Sequence, residues 1–375
     1  MPISSGPSHA ARRCRYVSDV MNVEGLSPDE QRRAARVARR YAFKANEYYL
    51  GLIDWDDPDD PIRHLIVPHP DELADWGQLD PSNEAANRVA RGVQHKYRDT
   101  VLLLCNQTCG AFCRYCFRKR LFIRGNDEVS RNVEAGLDYI EQHDEVTNVL
   151  LTGGDPLMLG TPRLLDIIDR LRDIPHVRII RIGSKMPAFN PWRILDDDAL
   201  VQGLARCSRP ENRIYLMAHF DHPAELTEAA ARAIDRLIRS GIICVNQCPI
   251  VKGVNDNADV LLELFRELSF IGCPQYYVFQ GRPTAGNAPY EVPLVHSYQV
   301  FEAAKRQCSG LAKRARLVMS HASGKIEMVG LDDRHIYLHY HRARNPADEG
   351  RFMVFRRNDD AFWLDDLEPA GNEYA

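Results

Sequence analysis

No stretch of the 375-residue sequence is long and apolar enough to cross a bilayer. The opening residues, MPISSGPSHAARRCRYVSDV, hold no continuous apolar run, which argues against a secretory leader. An excess of charge is missing too: 48 Lys and Arg stand against 52 Asp and Glu, a formal net charge of −4. The global basic field that nucleic acid or an anionic membrane demands is therefore lacking. There is no low-complexity tract and no repeat with a fixed spelling. These absences predict a soluble, cytoplasmic protein with neither nucleic acid nor membrane as partner. In that reducing compartment the ten cysteines are not expected to pair as disulfides.

What is present is an alternation of element types. Apolar residues make up 45% of the chain, enough for one large core. Strand-like runs occur at VLLL (101–104), NVLLT (148–152), VRIIRI (177–182), RIYLMA (213–218), IICVNQ (242–247) and QYYVFQ (275–280). Helical patterns lie between them. In TPRLLDIIDRLRD, Leu164, Leu165, Ile167, Ile168 and Leu171 share one face. Residues 130–142, 225–240, 257–269 and 296–309 read similarly. Strands alternating with helices predict an α/β fold with a parallel sheet and right-handed crossovers, partly closed as six-eighths of a barrel. Ahead of it, 26–50 reads as helix, opening on a Ser cap with Glu three positions on. Beyond 310, KIEMVG, RHIYLHYHRAR, GRFMVFRR and DAFWLDD predict short strands forming a small C-terminal β cap. The expected division is 1–95, an N-terminal helical and extended segment; 96–310, the partial barrel; and 311–375, the β-rich end.

CNQTCGAFCRYCFRKR (105–120) sets four cysteines within twelve positions. Cys109-x3-Cys113-x2-Cys116 can grip three corners of an iron–sulfur cube, leaving one iron open for a small chelating molecule. Cys105 continues the apolar strand and reads as a buried core thiol rather than a fourth ligand. The alternative, a zinc site, would want a histidine, and none lies in or just after the loop. Position adds weight: the cysteine loop, GGD, GSK, His219, NQ and QGR each sit at or after the end of a predicted strand, where barrel enzymes assemble their sites.

Cys-x3-Cys-x2-Cys with an aromatic (Tyr115) before the last cysteine resembles the radical S-adenosylmethionine enzymes. CRYCFRKR, LLTGGDPLML, RIGSKMPAFNPWRI, AHFDHPAELT, NQCPIVKGVND and SGKIEMVG further resemble successive motifs of the lysine 2,3-aminomutase family, over about residues 40 to 345. The resemblance implies a partial (β/α)6 radical-SAM barrel, in agreement with the six strands. It implies that Cys109, Cys113 and Cys116 ligate a [4Fe–4S] cluster whose open iron takes the amino and carboxylate groups of S-adenosylmethionine. A reducing flavodoxin or ferredoxin would supply the electron that releases a 5′-deoxyadenosyl radical. Gly153, Gly154 and Asp155 would approach the methionine part, the glycines admitting close backbone and Asp155 pairing with an ammonium. Ser184, His219 and Gln247 match further positions that contact S-adenosylmethionine. Lys325 matches the lysine that forms a Schiff base with pyridoxal 5′-phosphate, and Lys96 a basic position near that cofactor. Arg118 stands where the family binds the substrate α-carboxylate, which suits a guanidinium fork.

The sequence also departs from the pattern. Thr100 stands where lysine-specific relatives carry an arginine, and a single glycine, Gly324, precedes Lys325. Lysine-acting relatives hold the distal ammonium with two aspartates. Here Arg282 takes the first place, and no acid lies between Arg316 and Lys325. Arg282 suits an acidic side chain, as a base does in glutamate-acting relatives, or simply braces its loop. No cysteine follows Cys308, so no structural zinc is expected. The resulting expectation is a 2,3-aminomutase acting on a small-molecule amino acid other than free lysine, with an acidic side chain as the candidate. Alternatives are a radical enzyme on this scaffold without pyridoxal chemistry (a dehydrogenase, epimerase or protein-modifying enzyme) and an iron–sulfur electron carrier. The homo-oligomeric state is left open. Cys105 separates the carrier from the enzymes: Cys105→Ala is expected to keep full iron and sulfide content and to go on cleaving S-adenosylmethionine, whereas a loss of iron would make Cys105 a ligand.

Overall fold

The computed structural model describes residues 14–123 and 125–371. The expectation about a leader falls largely on residues 1–13, outside the described residues. Among those described, no helix is long and apolar enough to cross a membrane. Ser27 caps α1 (Pro28–Ala38), with Glu30 completing the capping box. The helix stops well before residue 50. Tyr41, Phe43 and Ala45 are buried at every second position, a strand period that overrides the helical one. Ala45–Asn46 then pairs antiparallel with Tyr16–Val17, and only Glu47–Leu50 returns to helix.

Twelve strands form one sheet in strictly sequential order. They are β1 (Arg88–Ala90), β2 (Val93–Tyr97), β3 (Thr100–Asn106), β4 (Asn148–Gly153), β5 (Ile179–Ser184) and β6 (Ile214–Ala218). Then come β7 (Ile243–Pro249), β8 (Gln275–Phe279), β9 (Arg316–His321), β10 (Gly324–Leu331), β11 (His335–Ala343) and β12 (Phe352–Arg356). Neighbours from β3 to β9 pair in parallel, and both flanks are antiparallel. The crossovers carry α2 (Glu134–Glu141), α3 (Thr161–Asp173), α4 (Asp198–Cys207), α5 (Glu228–Arg239), α6 (Ala258–Phe270) and α7 (Leu294–Arg306). In α3, Leu164, Ile167, Ile168 and Leu171 are buried, each stabilising by about 1.5–3 kcal/mol relative to exposure. Leu165 is only half-buried. It lies over Gly203 of α4, where a Cβ would come within 2.3 Å of its Cδ1.

The C-terminal strands are not a separate cap. ARLVMSH supplies β9, a seventh parallel strand, and β10–β12 continue the sheet from it. The open edge of β8 needs partners for its backbone groups, and the following chain provides them. DAFWLDD is not a strand: it ends in a 3-10 turn at Leu364–Asp366 with Trp363 buried. Sheet pairing runs across both expected segment boundaries, since β2 spans residues 95 and 96 and β9 pairs with β8. Strands about 4.8 Å apart would put β2 and β9 about 34 Å from each other in a flat sheet. Yet Lys96 on β2 donates to the backbone carbonyl of His321 on β9. Arg342 on β11 likewise donates to Thr100 Oγ1 on β3 at 3.2 Å. The sheet therefore curls until its flanks touch.

The cysteine loop leaves β3 and is held by the turn after β4. Gly154 N donates to Asn106 O at 2.7 Å, and Asp155 N to Thr108 O at 2.8 Å. Gly153 has φ +111°, and a Cβ on Gly154 would lie 2.4 Å from Thr108 O. The glycines thus admit the backbone of the cysteine loop. Gly154→Ala must push that loop away. It is expected to lower stability by about 1–3 kcal/mol in denaturant titration and to reduce bound iron on reconstitution. Unchanged iron content would show that the loop is placed by other contacts.

Candidate active site

The inner face of the curl encloses a cavity of about 370 Å³. Every residue nominated from the sequence lines it: Cys109, Cys113, Cys116, Arg118, Lys96, Gly153, Gly154, Asp155, Ser184, His219, Gln247, Arg282 and Lys325. None of the ten cysteines is in a disulfide. Cys105 lies in the core on β3, its Sγ 3.8 Å from Thr152 O. Burial pushes the thiols of Cys109, Cys113 and Cys116 up, Cys113 to about 12, so they hold their protons until a metal displaces them. Among the described residues no three His, Cys, Asp or Glu side chains converge as on a single ion.

The loop is anchored from the N-terminal segment. Arg114, 1% exposed, grips Glu72 bidentately at 2.9 and 2.6 Å, and Lys119 and Tyr290 add bonds to the same carboxylate. Next to it, Asp155 accepts from Ser184 Oγ at 2.9 Å, Lys185 N at 2.8 Å and Leu157 N at 2.9 Å. It is a bracket between the turns after β4 and β5. Burial still raises its carboxyl to about 6. His219 Nε2 lies 2.9 Å from Tyr115 Oη and 3.0 Å from Asp221. Lys185 closes that network on Asp221 at 2.6 Å and Glu225 at 2.5 Å.

Arg118 does not stand free. Its Nε and Nη2 donate to Glu84 at 3.2 and 3.1 Å, and Nη1 to Thr152 Oγ1 at 3.0 Å. Arg282 Nη1 reaches the same Glu84 at 3.3 Å, with its guanidinium 3.7 Å from the Phe117 ring centre. Arg120 completes the set at 2.7 Å. Burial opposes ionisation of Glu84, but the three guanidiniums hold its carboxyl below the usual carboxylate range. Arg282 is therefore part of an internal ion network as well as of the cavity wall.

Lys325 begins β10, its Nζ 4.2 Å from the Tyr277 ring centre and 5.2 Å from that of Phe279. Burial lowers its pKa well below the ordinary value, and Arg181, Arg342, Arg282 and Lys96 all push the same way. Lys96, donating to the His321 carbonyl, is brought down to about 8 by burial and by Arg282. The sequence reading missed Glu84, Glu72, Arg181 and Arg342. Arg181 carried a signal, an arginine between two isoleucines in a central strand, where alternation puts it on the opposite face from the buried Ile180 and Ile182. Arg342 had a weaker one in HYHRA. Glu84 and Glu72 lie in short irregular turns and had none.

Residues 103–265 match the model of the radical SAM superfamily. A protein of Aquifex aeolicus (strain VF5), provisionally named an L-lysine 2,3-aminomutase, is 49% identical over 365 residues, covering 97% of each chain. The L-lysine 2,3-aminomutase of Acetoanaerobium sticklandii is 34% identical over 80% of this chain and 71% of its own. The glutamate 2,3-aminomutase of Clostridioides difficile is 29% identical over 80% of this chain and 71% of its own. With the cysteine loop, the GGD turn and the lysine of β10 gathered in one cavity, the chain is an isomerase that belongs to the lysine 2,3-aminomutase family of radical S-adenosylmethionine enzymes.

Proposed function

We propose that this enzyme moves the α-amino group of an amino acid other than free lysine to its β-carbon, in a curled sheet that acts as a partial (β/α)6 barrel. Lys325 carries the reading. A buried amine whose strongest charged neighbours are all cations is favoured in its neutral, nucleophilic form, as imine-forming lysines must be. The cavity also fits an anionic cofactor. Seven lysines and arginines line it against three carboxylic acids, Glu84, Asp155 and Glu291. Lys325 and Lys96 would hold pyridoxal 5′-phosphate. Cys109, Cys113 and Cys116 would hold the [4Fe–4S] cluster, three uncharged thiols on one loop with no disulfide to break. Gly153, Gly154, Asp155, Ser184, His219 and Gln247 would face S-adenosylmethionine.

When bound, the cluster and S-adenosylmethionine supply a carbon radical and pyridoxal phosphate an electron sink. The chain's own part is placement. Glu84 and Thr152 fix the plane of Arg118, which presents its remaining donors to the substrate α-carboxylate. The Tyr277 and Phe279 rings flank the Lys325 amine and fix its place on the cavity wall. A flavodoxin or ferredoxin in the cytoplasm would deliver the electron. Free lysine is disfavoured because each acid lining the cavity is committed or neutral. Glu84 serves three guanidiniums, Asp155 is committed to Ser184 Oγ and two backbone N–H groups, and burial raises Glu291 well above the usual carboxylate range.

The test is anaerobic reconstitution with iron, sulfide and pyridoxal phosphate, then borohydride reduction and peptide mass spectrometry. A pyridoxyl adduct on Lys325 is expected, diminished by prior addition of glutamate or aspartate more than of lysine. Release by lysine alone would overturn the substrate class. No adduct, in protein that still cleaves S-adenosylmethionine, would favour the second reading, a radical enzyme without pyridoxal chemistry, to which Thr100 and the short glycine run already lean.

A further inference from the structure

We propose that Arg342 and Arg181 form the seat for a phosphoryl dianion in the cavity wall, Arg342 reaching in from β11 to the place where β3 offers only Thr100. The inference rests on the pyridoxal phosphate reading and names the side chains that take the phosphate. Arg342 is the cross-strand partner of Lys325 in the β10–β11 ladder, and directly opposed residues put their side chains on the same face. A group held by Arg342 is thereby held beside the lysine that would take the cofactor's aldehyde.

The contacts of Arg342 orient it without exhausting it. Nη1 donates to Thr100 Oγ1 at 3.2 Å, Nη2 to Asp99, and the guanidinium lies 4.5 Å from the Tyr97 ring centre. A guanidinium has five N–H donors, so others stay available. Asp99 is half-exposed, with 53% side-chain accessibility, and does not line the cavity. It steadies the outer edge of Arg342 and leaves the inner edge to a ligand.

Arg181 is the second arm. It lies on β5, lines the same cavity, and among the described residues its hydrogen bond is Nε to Asn148 Oδ1 at 2.8 Å. Its terminal nitrogens therefore keep their donors. Burial lowers its pKa, and Arg342 adds to the effect. A half-buried guanidinium with unused terminal donors beside a second cation has room for an anion, its charge offset only in part by the more distant Asp99. A dianion between the two arms relieves both, and the planar forks match phosphate oxygens in pairs.

The experiment compares pyridoxal phosphate with pyridoxal on cluster-loaded protein, reading borohydride-trapped adduct at Lys325 against concentration. Wild-type protein is expected to prefer the phosphorylated aldehyde. Arg342→Gln is expected to weaken pyridoxal phosphate by about tenfold to a hundredfold, the worth of one or two charge-assisted bonds, while pyridoxal stays within about twofold. Thr100→Arg added to Arg342→Gln is expected to recover the preference, which a general folding defect would not allow. In unmutated protein, inorganic phosphate is expected to slow labelling by pyridoxal phosphate and spare that by pyridoxal. If Arg342→Gln keeps the full preference, or phosphate slows both aldehydes equally, the seat is elsewhere and the cofactor reading stands. If wild-type protein takes neither aldehyde at Lys325, the cofactor reading falls and the seat with it.

Discussion

The curl of the sheet is the constraint on which the rest depends. Sequential strand order alone would spread the side chains of the site along a ribbon tens of ångströms wide. Lys96 and Thr100 belong to one flank, His321, Lys325 and Arg342 to the other, and they meet only because the flanks do. The curl in turn depends on inward-facing side chains that attract one another across the gap. Lys96 to the His321 carbonyl and Arg342 to Thr100 are such links, with Arg342 to Asp99 fastening the outer edge. A cavity built this way draws one reactive residue from nearly every strand end, as enzymes on barrel scaffolds do.

Closure concentrates charge. Two carboxylates absorb part of the positive charge in and around the cavity. Glu72 neutralises Arg114 and Lys119 under the cysteine loop, and Glu84 is shared among Arg118, Arg120 and Arg282. Both are buried and fully bonded, so removing either would strand guanidiniums away from water, a change of about 3–5 kcal/mol for a buried pair. Among the described residues Arg181 and Lys325 make no ion pair with a carboxylate, Arg181 feeling only the more distant Asp99. The fold thus holds a surplus that anionic ligands relieve, and whatever binds there stabilises the folded chain by mass action.

The sequence carried much of this. The strands from β3 to β8 were legible because buried parallel strands read as apolar runs, and the helices because one face of each is apolar. Cys109, Cys113 and Cys116 were legible because thiol spacing within one loop is local information. The failures share a cause. ARLVMSH was passed over because β9 is defined by its pairing with β8, a contact across a helix. DAFWLDD looked like a strand because Phe362 and Trp363 are apolar, though Trp363 packs from a turn. The resemblance marked Arg118 but not its partner: its bonds to Glu84 join residues 34 apart in sequence, with no periodicity to announce them.

The same distinction governs selectivity. Arg282 in place of an acid suggested a site for an acidic side chain, as though the position acted alone. In the folded chain Arg282 stacks on Phe117 and shares Glu84 with Arg118, so the proposed contacts to the distal group and to the α-carboxylate are one electrostatic unit. A substrate carboxylate that draws on Arg282 loosens its claim on Glu84, which then binds Arg118 and Arg120 more tightly. A substrate ammonium at the same place would compete with three guanidiniums for one carboxylate and meet repulsion from each. On the proposed reading, choice of side chain is a property of the Glu84 network, and a single reversal at residue 282 would change the charge of that network without rebuilding a lysine site.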